Sequence, residues 1–176
     1  MPDMDETIPI LIYPDPALRA RTRAVTEADR DMVQAVLPRM FAAMYAAPGI
    51  GLAAPQVGLA LRFCIVDLTP NEVREPLVLI NPEIIAASNE LATREEGCLS
   101  LPNQYADVTR PDGVRVRFQD AAGRMRTEDM EGLLATCVQH EIDHLNGVLF
   151  VDHLSTLKRN MLVRRLAKEQ RQARQA

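Results

Sequence analysis

Apolar residues recur at helical spacing in two stretches of the chain, and between these stretches they follow strand patterns. Met32, Val33, Val36, Leu37, Met40, Phe41 and Met44 share one face at a 3.6-residue period, which predicts a helix over 27–46. Thr26, with Asp29 three positions on, resembles a capping box at its start. Pro38 inside this helix should kink it or loosen one turn, because proline has no N–H to bond back to residue 34. In the second stretch Leu133, Leu134, Val138, Ile142 and Leu145 leave the helix apolar almost all round, so it belongs in the core over 131–145. Asn146-Gly147 is a plausible C-cap, and Ser155 is placed to cap a last helix running towards Gln172.

The strands are short. Residues 61–68 read as one, and 77–81 as another that stops at Pro82. A further strand with polar breaks is expected over 83–93, and 148–151 should be a short one after the core helix. Residues 114–118 alternate apolar against charged, and Asp120 to Gly123 form the turn of a hairpin that returns through Thr127. Pro9, Pro14 and Pro16 make 8–18 an extended arm. Residues 48–58 hold two prolines and three glycines, so they read as an irregular loop that lets backbone approach a ligand. Residues 95–102 read as a loop carrying Cys98. No repeat, low-complexity tract or linker divides the chain. The expected fold is α+β, one domain over 1–176, with short, mostly antiparallel strands around a central helix and a helix near each end.

Composition narrows the function. A chain of 176 residues with 47% hydrophobic and 25% charged residues is an ordinary globular protein. It has no Trp and only seven aromatics, too few for a base-stacking platform, so no nucleic-acid readout of that kind is expected. Residues 1–6 are acidic and lack the apolar core of a signal peptide. No run approaches the roughly 18 apolar residues that span a bilayer. Three widely separated cysteines argue against a disulfide framework and for a reducing cytoplasm. Charge is unevenly spread: from Lys158 to Ala176 seven basic residues meet one acidic residue, a tail of +6, so the remainder carries −10 of the net −4. A basic helical tail over about 156–176 suits an anionic partner, although a solvated helix end has the same composition.

The candidate chemistry lies on the core helix, in His140-Glu141-Ile142-Asp143-His144. Residues four apart stack on one helical face, so His140 and His144 can hold one metal ion with Glu141 beside it to handle a proton. A buried helix with two hydrogen-bonded histidines would show the same five residues, so the third ligand decides. A metzincin's third histidine would fall six residues after His144, at Phe150, and the later glutamate of a thermolysin-type site could only be Glu169, which sits in the basic tail. Cys98 and Cys137 remain. Cys137 is three residues before His140 on the same face and would crowd the ion, whereas Cys98 comes from another segment and closes a pyramid more naturally. Cys64, within a strand, is core. An ion there lowers the pKa of bound water from 15.7 towards about 7, and Glu141 can take the proton and pass it to a leaving amine. Negative charge developing on a carbonyl oxygen needs fixed donors, for which the Gln56 amide and the Leu99 N–H are candidates. Arg110 with Glu96 either braces the cysteine loop or is a surface pair.

Three segments together, Gly49-Ile50-Gly51-Leu52-Ala53-Ala54-Pro55-Gln56, Glu96-Gly97-Cys98-Leu99-Ser100 and Gln139-His140-Glu141-Ile142-Asp143-His144, resemble the signature motifs of peptide deformylase, in order. The likeness extends over about 11–155. It implies a metal-dependent amidase that removes the formyl group from the formyl-methionine of nascent chains and releases formate. It also implies Cys98, His140 and His144 as ligands, Glu141 as acid and base, and Gln56 and Leu99 as carbonyl donors. Ile50, Gly51, Leu133 and Cys137 would line the methionine pocket, which gives Cys137 a role other than ligand. The implied ion is Fe2+, replaceable by Zn2+ or Ni2+. The implied partners are formyl-Met peptides and the ribosome near its exit tunnel, reached through the basic C-terminal helix. A cytoplasmic monomer with no DNA or membrane partner is expected. Some members carry an arginine near the place of Tyr105 to hold substrate backbone, so tyrosine here implies a different contact. Against this stand a zincin-like endopeptidase, which lacks its third ligand, and a structural zinc site in an RNA-binding module, which would need a fourth ligand.

Overall fold

The structure, a computed structural model, describes residues 8–176, so the acidic stretch 1–6 lies outside the described residues. The arm from Ile8 is extended as expected, and its backbone ties down two distant segments: Leu11 N–H donates to the Gln56 carbonyl at 2.8 Å and Tyr13 N–H to the Ser100 carbonyl at 2.8 Å. It does not stay extended to residue 18. Asp15 accepts from the Ala17 N–H at 2.9 Å and starts a 3-10 turn over Pro16–Arg19.

Helix α1 is Arg30–Ala46, and its expected first turn is instead 3-10, over Glu27–Asp29. The Asp29 carboxylate reaches back to the Thr26 N–H at 2.8 Å, so the cap is made there. Pro38 stands on the exposed side of α1, and the helix runs on past it. Met32, expected in the core, is 40% exposed. Val33, Val36, Leu37, Met40 and Met44 of that face are buried, and Phe41 is half-buried.

Seven strands follow in chain order: β1 (Gly51–Ala53), β2 (Phe63–Val66), β3 (Leu77–Ala87), β4 (Leu91–Cys98), β5 (Leu101–Pro111), β6 (Gly113–Gln119) and β7 (Met125–Glu131). Five form an antiparallel sheet in the order β1-β2-β3-β6-β7, and β4 pairs with β5 in a separate ribbon. Strand alternation sorts the sheet's two faces. Phe63 and Ile65 meet Met40 and Met44 of α1, while Cys64 and Val66 meet the other side, which holds Val138 and Ile142.

Those last two belong to helix α2, Gly132–Leu145, the expected core helix. Gly132 leaves β7 with φ +65, a conformation that favours glycine. Ten of the 14 residues of α2 are buried, in line with its continuous apolar pattern. The expected strand over 148–151 is absent. Asp152 accepts from the Leu149 N–H at 2.9 Å and winds Phe150–His153 into a 3-10 turn. Helix α3, Thr156–Gln175, is capped by Ser155 and buries Leu162 and Leu166 against Leu101, Val108 and Phe150.

Several boundaries differ from the expected ones for identifiable reasons. The strand expected to stop at Pro82 continues to Ala87, because the proline falls in a register shift between Ile80 and Glu83. The strand expected over 83–93 is therefore the end of β3 and the start of β4. The loop over 48–58 contains β1 and a 3-10 turn, Ala54–Val57, ended by Gly58 at φ +87. Cys98 is the last residue of β4, at the tip of the β4–β5 ribbon.

Candidate active site

Helix α2 carries His140, Glu141 and His144 into the interior, where they are 7%, 3% and 1% exposed. The two imidazoles lie one turn apart with ring centres separated by 5.0 Å. The β4–β5 ribbon folds over them, and a register shift between Gly97 and Cys98 turns the cysteine inward. Cys98 Sγ comes to 3.3 Å from His144 Nε2. One ligand atom from each of Cys98, His140 and His144 lies within 4.8 Å of the others. A tetrahedral zinc with ordinary Zn–S and Zn–N bonds separates such atoms by about 3.6 Å, so the donor set fits an ion of that kind. The other candidates are elsewhere. Phe150 stacks on His140, with ring centres 6.1 Å apart, and Glu169 accepts from Gln104 Nε2 at 2.8 Å. Cys137 turns its thiol to the Ile50 carbonyl at 3.7 Å, and burial raises its pKa well above the ordinary thiol value.

His140 is held by an ionic chain. Its Nδ1 lies 2.9 Å from Glu96 Oε1, which leaves Nε2 to face the cluster. Arg110 grips the same carboxylate through Nε at 2.7 Å and Nη2 at 3.0 Å. Glu96 and Arg110 are 6% and 5% exposed, so the pair is a buried brace and not a surface one. Burial alone would raise the Glu96 pKa, but the hydrogen bonds from His140 and Arg110 outweigh it and bring it to about 2. That Glu96 orients a histidine was not readable from its motif. The general habit of metal-binding histidines to hold a carboxylate was the available signal.

Glu141 sits beside His140 with Oε2 buried and without a hydrogen-bond partner among the described residues. Burial pushes its pKa up to about 7, despite the opposing effect of His140. Gln56, 1% exposed, is fixed at both ends. Its Oε1 accepts from the Ala53 N–H at 2.9 Å, and its Nε2 donates to Ser100 Oγ at 3.0 Å and points at Cys98 Sγ, 3.5 Å away. Ser100, whose side chain was not singled out in the sequence, is thus a support of Gln56. Leu99 stands in the turn between β4 and β5 with its side chain against Gly49.

These groups face a cleft of about 450 Å³. Ile50, Gly51, Leu133 and Cys137 are on its wall, as are Cys98, His140, Glu141, Gln56 and Leu99; His144 lies deeper. Leu133, expected in the core from its spacing, is 50% exposed at the mouth. Tyr105 forms part of the rim, 61% exposed, with its ring against Gly97.

Residues 7–160 match the family model described as polypeptide deformylase. A peptide deformylase of Zymomonas mobilis is 50% identical over 169 residues, covering 93% of this chain and 95% of that protein. A crystal structure of a peptide deformylase from Legionella pneumophila superposes with a TM-score of 0.90 at 43% identity, covering 97% of this chain and 99% of the other. A peptide deformylase from Synechococcus elongatus, solved in complex with actinonin, superposes with a TM-score of 0.84 at 41% identity, covering 92% and 89%. A family model matched over most of the chain, and relatives of about 50% identity covered nearly end to end, show that the chain belongs to the peptide deformylase family.

Proposed function

We propose that Glu141 is the proton-transfer group of a formamide hydrolysis centred on Cys98, His140 and His144. As a peptide deformylase the chain is a metal-dependent hydrolase that removes the formyl group from N-formyl-methionyl peptides. Cys98, His140 and His144 would hold the ion, which when bound would supply Lewis acidity towards water and the formyl group. Glu141 takes a proton from the attacking water, whose oxygen bonds to the formyl carbon. The negative charge on the carbonyl oxygen is met by the Gln56 amide and the Leu99 N–H. Glu141 then returns the proton to the methionine nitrogen, the C–N bond breaks, and the formic acid so released gives its remaining proton to Glu141 or solvent and leaves as formate. Ile50, Gly51, Leu133 and Cys137 enclose the methionine side chain.

The observation that carries this reading is the Glu141 carboxyl, buried beside the Cys98, His140 and His144 cluster with its Oε2 unpaired among the described residues, where one group can both accept and donate a proton. The native ion is Fe2+, with Zn2+ or Ni2+ able to replace it, since a thiolate with two imidazoles suits each of them. The test is formate release from a formyl-methionyl peptide by anaerobically purified protein of known metal content. Glu141→Ala should keep its metal and release no formate. A metal-loaded wild-type protein that releases none would overturn the proposal. Loss of activity in air and its return with Fe2+ would identify the ion.

The setting follows from the substrate. Nascent chains carry the formyl group, so the protein acts in the cytoplasm, and no described helix is long and apolar enough to cross a membrane. Helix α3 bears the seven basic residues of the tail and provides the face that meets the ribosome near its exit tunnel, with the enzyme a monomer.

A further inference from the structure

The chain of charges behind His140 does not end at Arg110. Arg110 Nη1 donates to Asp143 Oδ2 at 2.8 Å, and Nε2 of His153 lies 2.8 Å from the same oxygen. A carboxylate only accepts, so both nitrogens donate to it. The result is a continuous path, His153–Asp143–Arg110–Glu96–His140, that starts at an imidazole 37% exposed at its side chain and ends on a buried one. Asp143 and His140 are on the same helix, one turn apart, whereas Glu96 and Arg110 come from β4 and β5. The path therefore clamps the β4–β5 ribbon, which carries Cys98, onto α2, which carries the two histidines. His153 adds the 3-10 turn Phe150–His153, whose Phe150 already stacks on the His140 ring.

We propose that His153, acting through Asp143 and Arg110, is a positioning residue for the metal-binding imidazole of His140. Asp143 competes with Glu96 for the Arg110 guanidinium. His153 and Arg110 share the charge of Asp143 Oδ2, so His153 acts by fixing where Asp143 stands, and Asp143 in turn fixes the Arg110 guanidinium against Glu96, which accepts from His140 Nδ1. A strongly held Nδ1–H makes Nε2 the more basic donor and fixes the ring plane. Without the His153 donor, one lone pair of Asp143 Oδ2 turns to solvent, and the clamp between ribbon and helix loosens.

This inference rests on His140 being a metal ligand, which zinc binding by the wild type and its loss in His140→Ala tests separately. The full-length protein is titrated with Zn2+ against a chromophoric chelator, and the visible absorption of its Co2+ form reports the geometry of the ligands. His153→Phe, which keeps a ring but no donor, should weaken zinc binding about fivefold, short of the roughly 10–100-fold cost of losing a partner bonded directly to a ligand, and should shift the cobalt bands. His153→Gln restores a donor and should recover both. Unchanged affinity and spectrum in His153→Phe would overturn the proposal, as would equal losses in the Phe and Gln variants. Should His153→Phe fail to fold, Asp143→Asn decides: weaker zinc binding supports the path, and wild-type binding with an unshifted cobalt spectrum overturns it.

Discussion

A Cβ on Gly51 would stand 2.6 Å from Glu141 Oε1 and 3.0 Å from Cys137 Sγ. The glycine is therefore required by the carboxylate it faces and not by its own backbone conformation. Gly51→Ala should push the end of Glu141 aside while leaving the core and the metal ligands in place. A displacement of about 1 Å at a catalytic group costs on the order of 100-fold in rate, so kcat should fall by about that much. Thermal unfolding and metal content should match the wild type. An active Gly51→Ala protein would mean that Glu141 tolerates a different position.

Gln56 is held from both sides, by the Ala53 N–H and by Ser100 Oγ, so its amide is fixed before substrate arrives. Losing one preorganised carbonyl donor costs about 3 kcal/mol of barrier, which is on the order of 100-fold in kcat for Gln56→Ala with metal retained. Ser100→Ala keeps the amide but frees its Nε2 end, and a loss of roughly one third as many kcal/mol is expected. Steady-state kinetics on a formyl-methionyl peptide separate the two. A double variant that loses the sum of the two single losses would show that the serine acts by itself and not through Gln56.

The parts of the site that were legible in the sequence are those whose chemistry is fixed by local spacing. His140 and His144 are one helical turn apart whatever surrounds them, and the apolar residues between and around them require that helix to be buried. The ribbon strand β5 was not legible. Its buried positions include Gln104 and Arg110, polar side chains whose partners, Glu169 and Glu96, are distant in sequence, so no apolar alternation marks it. Pro102 and Pro111 at its ends, with Asn103 and Asp107 between, argue against a strand by composition. Pro82 misled in the opposite direction, because a proline ends a strand only where the ladder needs its N–H, and a bulge does not. The brace from Glu96 to His140 was hidden for the same reason as β5: it joins residues 44 positions apart, and only the assembled ribbon brings them together.

That brace contributes to the acid stability of the metal-free protein. The Glu96 pKa lies at about 2 in the folded chain, below the ordinary value of 4.5 it has when unfolded. A depressed carboxyl contributes stability that is fully present above the unfolded value and lost as pH falls through the folded one. The contribution should therefore be intact at pH 6 and decline from about pH 4.5 towards about pH 2. Glu96→Gln lacks this titration. Its melting temperature should lie below that of the wild type at pH 6, and the gap should narrow as the pH is lowered through that window. A gap that stays constant would mean that other carboxylates govern acid unfolding.

Helix α3 has two faces with separable roles. Leu162 and Leu166 are 5% and 1% exposed against the core, whereas Arg164, Arg165 and Lys168 face solvent. Leu166→Ala removes a buried side chain and should destabilise the fold by about 2–5 kcal/mol, lowering the melting temperature by roughly 2–4 °C for each kcal/mol in a chain of this size. Reversing charge with Arg164→Glu and Arg165→Glu should leave the melting temperature and formate release from a free peptide unchanged. The same pair should weaken co-sedimentation with ribosomes, and the remaining binding should respond less steeply to salt, because fewer counterions are released from the anionic partner. Wild-type co-sedimentation by the reversed protein would place the ribosome contact on some other surface and leave the +6 tail as a solvated helix end.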